Sequence, residues 1–304
     1  MLDDLSTGRM ENLEQATASG AVTMVEGSVL DEALVDDCMD SVDVCFHLAS
    51  MVGVQLVVSN PLDSLTRNVR GTDNVISSAA RHNRRLLFTS TSEIYGKKSD
   101  GPLHEDSDRL LGSTSTARWT YSTAKAFGEL LAFGLHRERG AENVVVRLFN
   151  TVGPRQTGAY GMVLPRLVRQ AVNSEDLTVY GDGGQSRCFA HVLDTVAAIL
   201  SLVHEDQALG GVFNVGSTTE VTILDLANRV IEKAGSESGI RMVEYEDAYG
   251  EGFEELGRRI PDTKALETLT GWTPRRSVDD AIDDTIAFER GQWSGPEVTP
   301  AAKA

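Results

Sequence analysis

Short apolar runs alternate with amphipathic segments along the first half of the chain. Each of four such runs is bounded by turn-forming residues, which predicts buried strands. The runs lie at residues 21–28, 42–49, 86–91 and 143–149. Helices are predicted from Asn60-Pro61, whose residue types favour a helix start, and from Tyr121, after which apolar residues recur at helical spacing. Alternating strands and helices predict an α/β fold with a doubly wound parallel sheet.

The rhythm changes after Gly161, where the pattern predicts a smaller α/β domain. Its predicted helices lie at residues 162–172, 223–234 and 277–290. The last of these has a capping-box-like start at Ser277. The predicted boundaries are 1–150 for the first domain, 151–290 for the second, and 291–304 for a disordered tail.

Composition excludes several classes of function. The 304 residues carry a formal net charge of -17, which argues against nucleic acid because phosphates require basic patches. No run of 18 apolar residues exists, so no membrane span is predicted. The spacing of Cys38, Cys45 and Cys188 matches neither a metal site nor a disulfide framework. We therefore expect a cytoplasmic protein without a metal.

The candidate chemistry lies between the strand at 86–91 and the helix that follows Tyr121. Thr91 ends the strand and is followed by Ser92 and Glu93, while Lys125 comes four residues after Tyr121. Residues four apart share a helix face, so Lys125 is expected to lie beside Tyr121 and to lower its pKa. A phenolate beside a strand-end hydroxyl can take a proton from a sugar hydroxyl. A Tyr-x-x-x-Lys alone is also compatible with a surface pair.

The order of these motifs is more specific than any one of them. A strand, then Thr-Ser-Glu-Ile-Tyr-Gly, then Tyr-x-x-x-Lys resembles the extended short-chain dehydrogenase/reductases, the nucleotide-sugar epimerase/dehydratase family. The resemblance extends from Asp3 to Arg290 and includes the His-Leu-Ala and Gly-Asp-Gly segments. It implies a Rossmann-type domain, NAD as cofactor, and a nucleotide diphosphate-sugar, a UDP-sugar, as substrate.

The resemblance also assigns residues to the two ligands. Tyr121 would be the base, Lys125 would tune it and hold the nicotinamide ribose, and Thr91 would bond the reacting oxygen. Ser92 and Glu93 complete the expected catalytic group. Further expected cofactor contacts are Asp3, Ser28, Val29, Leu48, Ala49 and Asn68. Expected substrate contacts are Asn150, Arg187 and Arg259. Alternative interpretations are a turn cap for Asp3, a polar helix face for Asn68, and surface positions for the arginines.

The departure from the family pattern is the glycine loop. Neither Gly-x-Gly-x-x-Gly nor Gly-x-x-Gly-x-x-Gly occurs in the sequence, so the cradle for the NAD pyrophosphate is missing. Met1 to Gly8 is predicted to be a strand end and a loop, with a first strand and helix expected ahead of it. We expect residues 1–304 to bind NAD poorly, and a catalytically dead or truncated relative is the alternative to an active enzyme.

Three reactions share the 4-keto sugar intermediate that the resemblance implies. Ser92-Glu93 stands where a 4,6-dehydratase has Asp-Glu, which lowers the expectation of that reaction. Thr-Ser-Glu with Arg259 resembles the UDP-glucuronate decarboxylases, whereas a UDP-glucose 4-epimerase is the commonest family activity and is narrowly favoured. A homodimer is also expected, because family members commonly pair through the helices that hold Asn68 and Tyr121.

Overall fold

The computed structural model describes residues 1–53, 57, 59–245 and 258–295. The strands, in chain order, are β1 Leu2–Asp3, β2 Val25–Glu26, β3 Val44–His47, β4 Arg85–Thr91, β5 Asn143–Leu148, β6 Asn150–Val152, β7 Leu177–Tyr180, β8 Ser186–His191, β9 Val212–Val215, β10 Glu220–Thr222 and β11 Ile240–Val243. The helices are α1 Glu14–Ala18, α2 Glu32–Asp40, α3 Pro61–Arg81, α4 Thr120–Arg139, α5 Val163–Val172, α6 Val192–Val203, α7 Ile223–Ala234, α8 Lys264–Thr270 and α9 Val278–Glu289. Residues 296–304 of the predicted disordered tail lie outside the described residues.

The central sheet is parallel and has the strand order β3-β4-β5-β9, which confirms the predicted α/β fold. Side chains alternate between its faces, so Leu86 and Phe88 pack against α2, α3 and α4, whereas Leu87 packs against α6 and α8. Because helices cover both faces, β4 is apolar from Leu86 to Phe88, before its terminal hydroxyl residues. These hydroxyls therefore emerge at the carboxyl edge of the sheet.

A second core lies in the C-terminal half, where α5, α7 and α9 enclose Leu177 and Val179 of β7. β8 pairs with β6 and β10, and β7 pairs with β11. β9 comes from the segment assigned to the second domain, yet it extends the central sheet beside β5. The division at residue 150 stays a prediction. Ser277 forms the expected capping box with Asp280, whereas Asn60 makes no capping hydrogen bond.

Helix α4 lies unusually close to β4. A Cβ atom on Gly128 would stand 2.5 Å from Cζ of Phe88 and 2.8 Å from Cγ2 of Thr72, so only glycine fits this crossing. The helix ends at Gly140, which has the left-handed conformation common at helix ends. The first turn of α4 therefore lies next to the carboxyl end of β4.

The described residues contain neither a membrane-spanning helix nor a cluster of metal-binding side chains. No helix among them is long and apolar enough to cross a membrane. Within the same residues, no group of three or more His, Cys, Asp or Glu side chains could hold a metal ion. Leu62 of α3 and Leu130 of α4 are exposed apolar residues, at 76% and 69%. They lie on the helices expected to pair, and the homodimer stays a prediction.

Candidate functional site

A cavity of about 410 Å³ opens at the carboxyl end of the central sheet. Such edges are where parallel α/β sheets bind ligands. Nine of the residues expected from the sequence line this cavity. They are Leu48, Thr91, Ser92, Glu93, Tyr121, Lys125, Asn150, Arg187 and Arg259. The structure thus brings together the expected catalytic group and the expected substrate contacts.

Thr91 shapes the catalytic end of β4. Its Oγ1 accepts a hydrogen bond from the Glu93 backbone N–H at 3.2 Å and so caps the short 3₁₀ helix Ser92–Tyr95. This turn directs Glu93 into the cavity, where its side chain is 14% exposed. The sequence Thr-Ser-Glu is therefore a strand end followed by a capped turn, which explains why three polar residues follow an apolar run.

Tyr121 and Lys125 occupy the first turns of α4, where Lys125 is buried and Tyr121 is half-buried. Lys125 Nζ donates a hydrogen bond to the Thr89 carbonyl at 2.8 Å and lies 5.9 Å from the centre of the Tyr121 ring. The predicted proximity of the pair is therefore present. Lys125 also lines the cavity, and its Nζ lies 5.0 Å from the centre of the Phe88 ring.

The predicted lowering of the Tyr121 pKa is wrong for this structure. Burial raises the pKa of Tyr121, and the Glu93 carboxylate adds to the rise, while the nearby hydroxyls of Ser50 and Thr91 oppose it. Burial likewise lowers the pKa of Lys125 to about 7, with the Glu129 carboxylate acting in the opposite direction. The phenolate of Tyr121 and the ammonium of Lys125 both lose favourable contact with water. This desolvation cost exceeds the attraction between the two charges on which the sequence-based prediction depended.

Glu93 is held between two arginines. Arg259 Nη1 donates to Glu93 Oε1 at 2.6 Å, and Arg118 Nη2 lies 2.5 Å from Glu93 Oε2. Arg259 Nη1 also donates to Ser92 Oγ at 3.3 Å. Although burial acts to raise it, the two guanidiniums lower the pKa of Glu93 to about 2. Glu93 is therefore ionised at neutral pH, and we call Glu93, Arg118 and Arg259 the arginine clamp.

The arginine clamp is not saturated with hydrogen bonds. Nε of Arg118, Nε of Arg259 and Oε2 of Glu93 are buried and have no hydrogen-bond partner among the described residues, although Oε2 of Glu93 lies in ion-pair contact with Arg118. Glu93 is the one carboxylate that the described part of the chain contributes to the cavity wall. The cationic side chains in that wall are Arg118, Lys125, Arg166, Arg187 and Arg259. A chain with a net charge of -17 therefore encloses a cationic cavity.

Sequence reasoning missed Arg118 and Ser50. Arg118 precedes Tyr121 by three residues in a short 3₁₀ helix, Ala117–Trp119, that leads into α4. This spacing places both side chains on the cavity side and was the available signal. Ser50 donates to Oδ1 of Asn68 at 3.0 Å, and Asn68 also accepts from the Met51 N–H at 2.8 Å. Asn68 therefore supports the loop after β3 without lining the cavity.

The other expected cofactor residues lie outside the cavity wall. Asp3 Oδ1 accepts from the Leu5 N–H at 2.8 Å, which is the turn-cap alternative, and Ser28 Oγ accepts from the Leu30 N–H at 3.2 Å. The Val29 carbonyl accepts from Asn74 at 2.9 Å. Ala49 is exposed beside β3. Their contacts with a cofactor stay predictions.

The two remaining substrate residues are anchored through backbone carbonyls. Asn150 Nδ2 donates to the Cys188 carbonyl at 3.1 Å, and Arg187 Nη1 donates to the Ser186 carbonyl at 2.8 Å. Both side chains line the cavity on the side formed by β6 and β8. The cavity thus has Arg187 and the arginine clamp as separate cationic positions in its wall.

Comparison with known proteins places this geometry in a family. The family model described as NAD dependent epimerase/dehydratase matches residues 2–216. A UDP-N-acetyl-alpha-D-glucosaminuronate decarboxylase of Bacillus cytotoxicus is 35% identical over 291 residues, 95% of this chain and 89% of that protein. A UDP-glucuronic acid decarboxylase 1 of Xenopus tropicalis is 30% identical over 292 residues, 95% of this chain and 66% of that protein.

The fold has close solved counterparts. The UDP-glucose 4-epimerase of Thermotoga maritima superimposes with a TM-score of 0.84 at 24% identity, covering 95% of this chain and 90% of that one. At this identity the likeness concerns the fold alone. Taken with the matched family model and the relatives above, it shows that the chain belongs to the NAD dependent epimerase/dehydratase family, whose cofactor is NAD.

Proposed function

We propose that this protein is an NAD-dependent decarboxylase of a UDP-hexuronate. The observation that carries the proposal is the arginine clamp, in which two guanidiniums share one carboxylate and retain two buried Nε donors without acceptors. A uronate carboxylate supplies the missing charge and accepts hydrogen bonds from a guanidinium in the bidentate geometry that arginine favours. The sugar of a UDP-glucose 4-epimerase has no such group.

The relatives support the same choice. The names of the Bacillus cytotoxicus and Xenopus tropicalis proteins both describe decarboxylases of UDP-linked uronates. The decarboxylase was the alternative to the 4-epimerase that the sequence narrowly favoured, and these names together with the clamp favour the alternative. Arg259, Glu93 and Ser92 then form one functional group beside Tyr121 and Thr91.

The residues present fit the nicotinamide end of NAD. Lys125 lines the cavity from a position fixed by its hydrogen bond to the Thr89 carbonyl, and Tyr121 and Thr91 line the same cavity. Lys125 and Tyr121 would hold the nicotinamide ribose. When bound, NAD supplies a positively charged ring and a reversible acceptor for the hydride of the sugar C4. The sequence contains no glycine loop for the pyrophosphate.

The residues that line the cavity have separate roles in proton transfer and in binding the reacting oxygen. Tyr121 would take the proton of the C4 hydroxyl while Thr91 bonds the same oxygen, with the positive charges of Lys125 and of the bound nicotinamide ring offsetting the rise in the Tyr121 pKa that burial causes. With a ketone at C4, the carboxylate on C5 is in the β position and leaves as CO2, its bond electrons passing to an enolate whose oxygen faces Tyr121 and Thr91. C5 then takes a proton from water, and the hydride would return to C4 while Tyr121 returns its proton to the C4 oxygen. Glu93 is ionised and paired with the two arginines, so it does not supply the proton to C5.

A product assay tests the proposal. Incubated with UDP-glucuronate and NAD, the protein should form UDP-xylose and CO2 in equal amounts, followed by NMR spectroscopy and CO2 capture. Arg259→Gln should lower the rate at least a hundredfold, about 2.7 kcal/mol of barrier. Arg258→Gln is the matched control, because this neighbour is half exposed and pairs with Glu220; its rate should change less than threefold. Formation of UDP-galacturonate without CO2 would overturn the proposal in favour of a 4-epimerase.

A further inference from the structure

The arginine clamp contains a carboxylate that works against the binding of its own substrate. Glu93 contacts both guanidiniums, at 2.5 Å and 2.6 Å, and all three side chains line the cavity that a uronate carboxylate would have to enter. Without Glu93 the clamp would carry two positive charges; with it, the clamp carries one. An anion that enters therefore meets half of the charge that two arginines alone would offer.

We propose that Glu93 is a built-in counter-charge that limits the affinity of Arg118 and Arg259 for the substrate carboxylate and so allows that carboxylate to leave as CO2. The inference rests on the proposed decarboxylase function and deepens it. It also assigns Arg118 as a residue that determines specificity for uronates. The negative charges of the Glu93 and substrate carboxylates together balance the positive charges of Arg118 and Arg259.

The chemistry explains why weaker binding is useful. When the C5–C6 bond breaks, its electron pair moves toward the C4 oxygen, and CO2 departs without charge. Any interaction that holds the carboxylate more tightly than it holds the transition state raises the barrier by the difference. Two unopposed arginines in a buried site would do so, because buried charges attract strongly. Glu93 removes part of this attraction from the ground state.

Charge-balanced variants of the full chain test the inference by binding, independently of turnover. Calorimetry would give the Kd of UDP-glucuronate and of UDP-xylose, which is the same molecule without the carboxylate. The ratio of the second Kd to the first measures recognition of the carboxylate alone. Glu93→Gln should raise this ratio at least tenfold over the natural protein, and Arg118→Gln should lower it at least tenfold. The double variant has the natural net charge and should return to within threefold.

Turnover gives a second readout. In Glu93→Gln we expect both kcat and KM for UDP-glucuronate to fall, the pattern produced when an interaction that destabilises the bound substrate is removed. A purely structural role for Glu93 predicts the opposite for binding, since a disordered clamp would lose affinity for the uronate. Glu93→Asp keeps the charge and should restore the natural ratio of the two Kd values within about threefold.

The outcomes separate the inference from the proposed function. If Glu93→Gln leaves the ratio unchanged or lowers it while Arg259→Gln still abolishes recognition of the uronate, the counter-charge is wrong and the decarboxylase stands. If the natural protein binds both ligands equally and Arg259→Gln changes neither Kd, the proposed function fails. If Glu93→Gln does not fold, the double variant is compared with Arg118→Gln, and a gain in the ratio of less than threefold overturns the inference.

Discussion

Two buried clusters of glutamate and arginine among the described residues differ in how completely their hydrogen-bonding groups are paired. Behind the cavity, Glu129 takes two hydrogen bonds from Arg147, at 2.9 Å and 2.7 Å, and one from Ser90 at 2.5 Å. Arg147 also donates to Tyr95 Oη at 3.0 Å and to a backbone carbonyl. The arginine clamp has one more arginine than it has glutamates, and two of its donors lack acceptors.

The contrast shows what distinguishes a ligand-binding site from an ion pair that only stabilises the fold. Both clusters are similarly buried, so burial of charge does not by itself identify function. The Glu129–Arg147 cluster is neutral and its hydrogen-bonding groups are matched, which suits a part that holds α4 against the sheet. The clamp keeps surplus positive charge and unmatched donors in side chains that line a cavity, which suits a site for an anion.

The largest expected effect concerns the matched cluster. Arg147→Leu leaves Glu129 buried without its partner and should lower the free energy of unfolding by about 3–5 kcal/mol. Urea denaturation measures this directly. The double variant Glu129→Leu with Arg147→Leu removes both charges and should recover most of the loss. A loss below about 1 kcal/mol in the single variant would mean that Glu129 and Arg147 do not brace the fold.

An intermediate effect is expected at Lys125, which lies between the two clusters, four residues before Glu129 on α4. Burial lowers the pKa of Lys125 to about 7, well below that of an exposed lysine. Above pH 7 the unfolded chain therefore binds a proton that the folded chain lacks, so stability should rise with pH between 7 and 9.5. The slope from one group is at most about 1.4 kcal/mol per pH unit.

The matched control for this pH dependence is Lys125→Met, which removes the titrating group and keeps an unbranched side chain. The difference in unfolding free energy between the natural protein and this variant should change in favour of the natural protein as the pH rises. Urea denaturation at several pH values provides the measurement. A constant difference across this range would show that Lys125 stays protonated in the folded protein.

The smallest expected effect is on the stability of Arg259→Gln. The change leaves Glu93 paired with Arg118, so the clamp becomes a neutral pair and should lose about 1 kcal/mol or less. Activity should nevertheless fall strongly, as proposed above. Thermal and urea denaturation of this variant beside Arg147→Leu compare the two clusters in one experiment. A loss as large as that of Arg147→Leu would show that the clamp is structural.

The sequence predicted those parts of the molecule that depend on local order. The apolar run of β4 with its terminal Thr91, and the Tyr121–Lys125 spacing on a helix, each specify a place at the sheet edge without further information. The edge strand β9 was not predicted, because a four-residue strand joins the sheet only through its distant partner β5.

The ion pairs and pKa shifts of the site depend on contacts between segments that are far apart in the sequence. The sequence alone did not predict them. Glu93 meets Arg118 across 25 positions, by the residue numbers, and meets Arg259 across 166. No periodicity relates such positions. The same reason explains the error over Tyr121, since the spacing to Lys125 indicates proximity but carries no information about how much water the fold removes from the phenol.

Gly128 gives the site its dimensions without taking part in its chemistry. A side chain there would push α4 away from Phe88, and the helix carries Tyr121 and Lys125 with it, whereas Thr91 would stay on the sheet. The absence of a side chain at Gly128 thus sets the distance between Thr91 on β4 and Tyr121 on α4, two helical turns from Gly128. In a mutational survey scored by growth or turnover, this position should be as intolerant as the residues of the cavity wall, although it contacts no ligand. Redesign of the cavity for other sugars has to keep it.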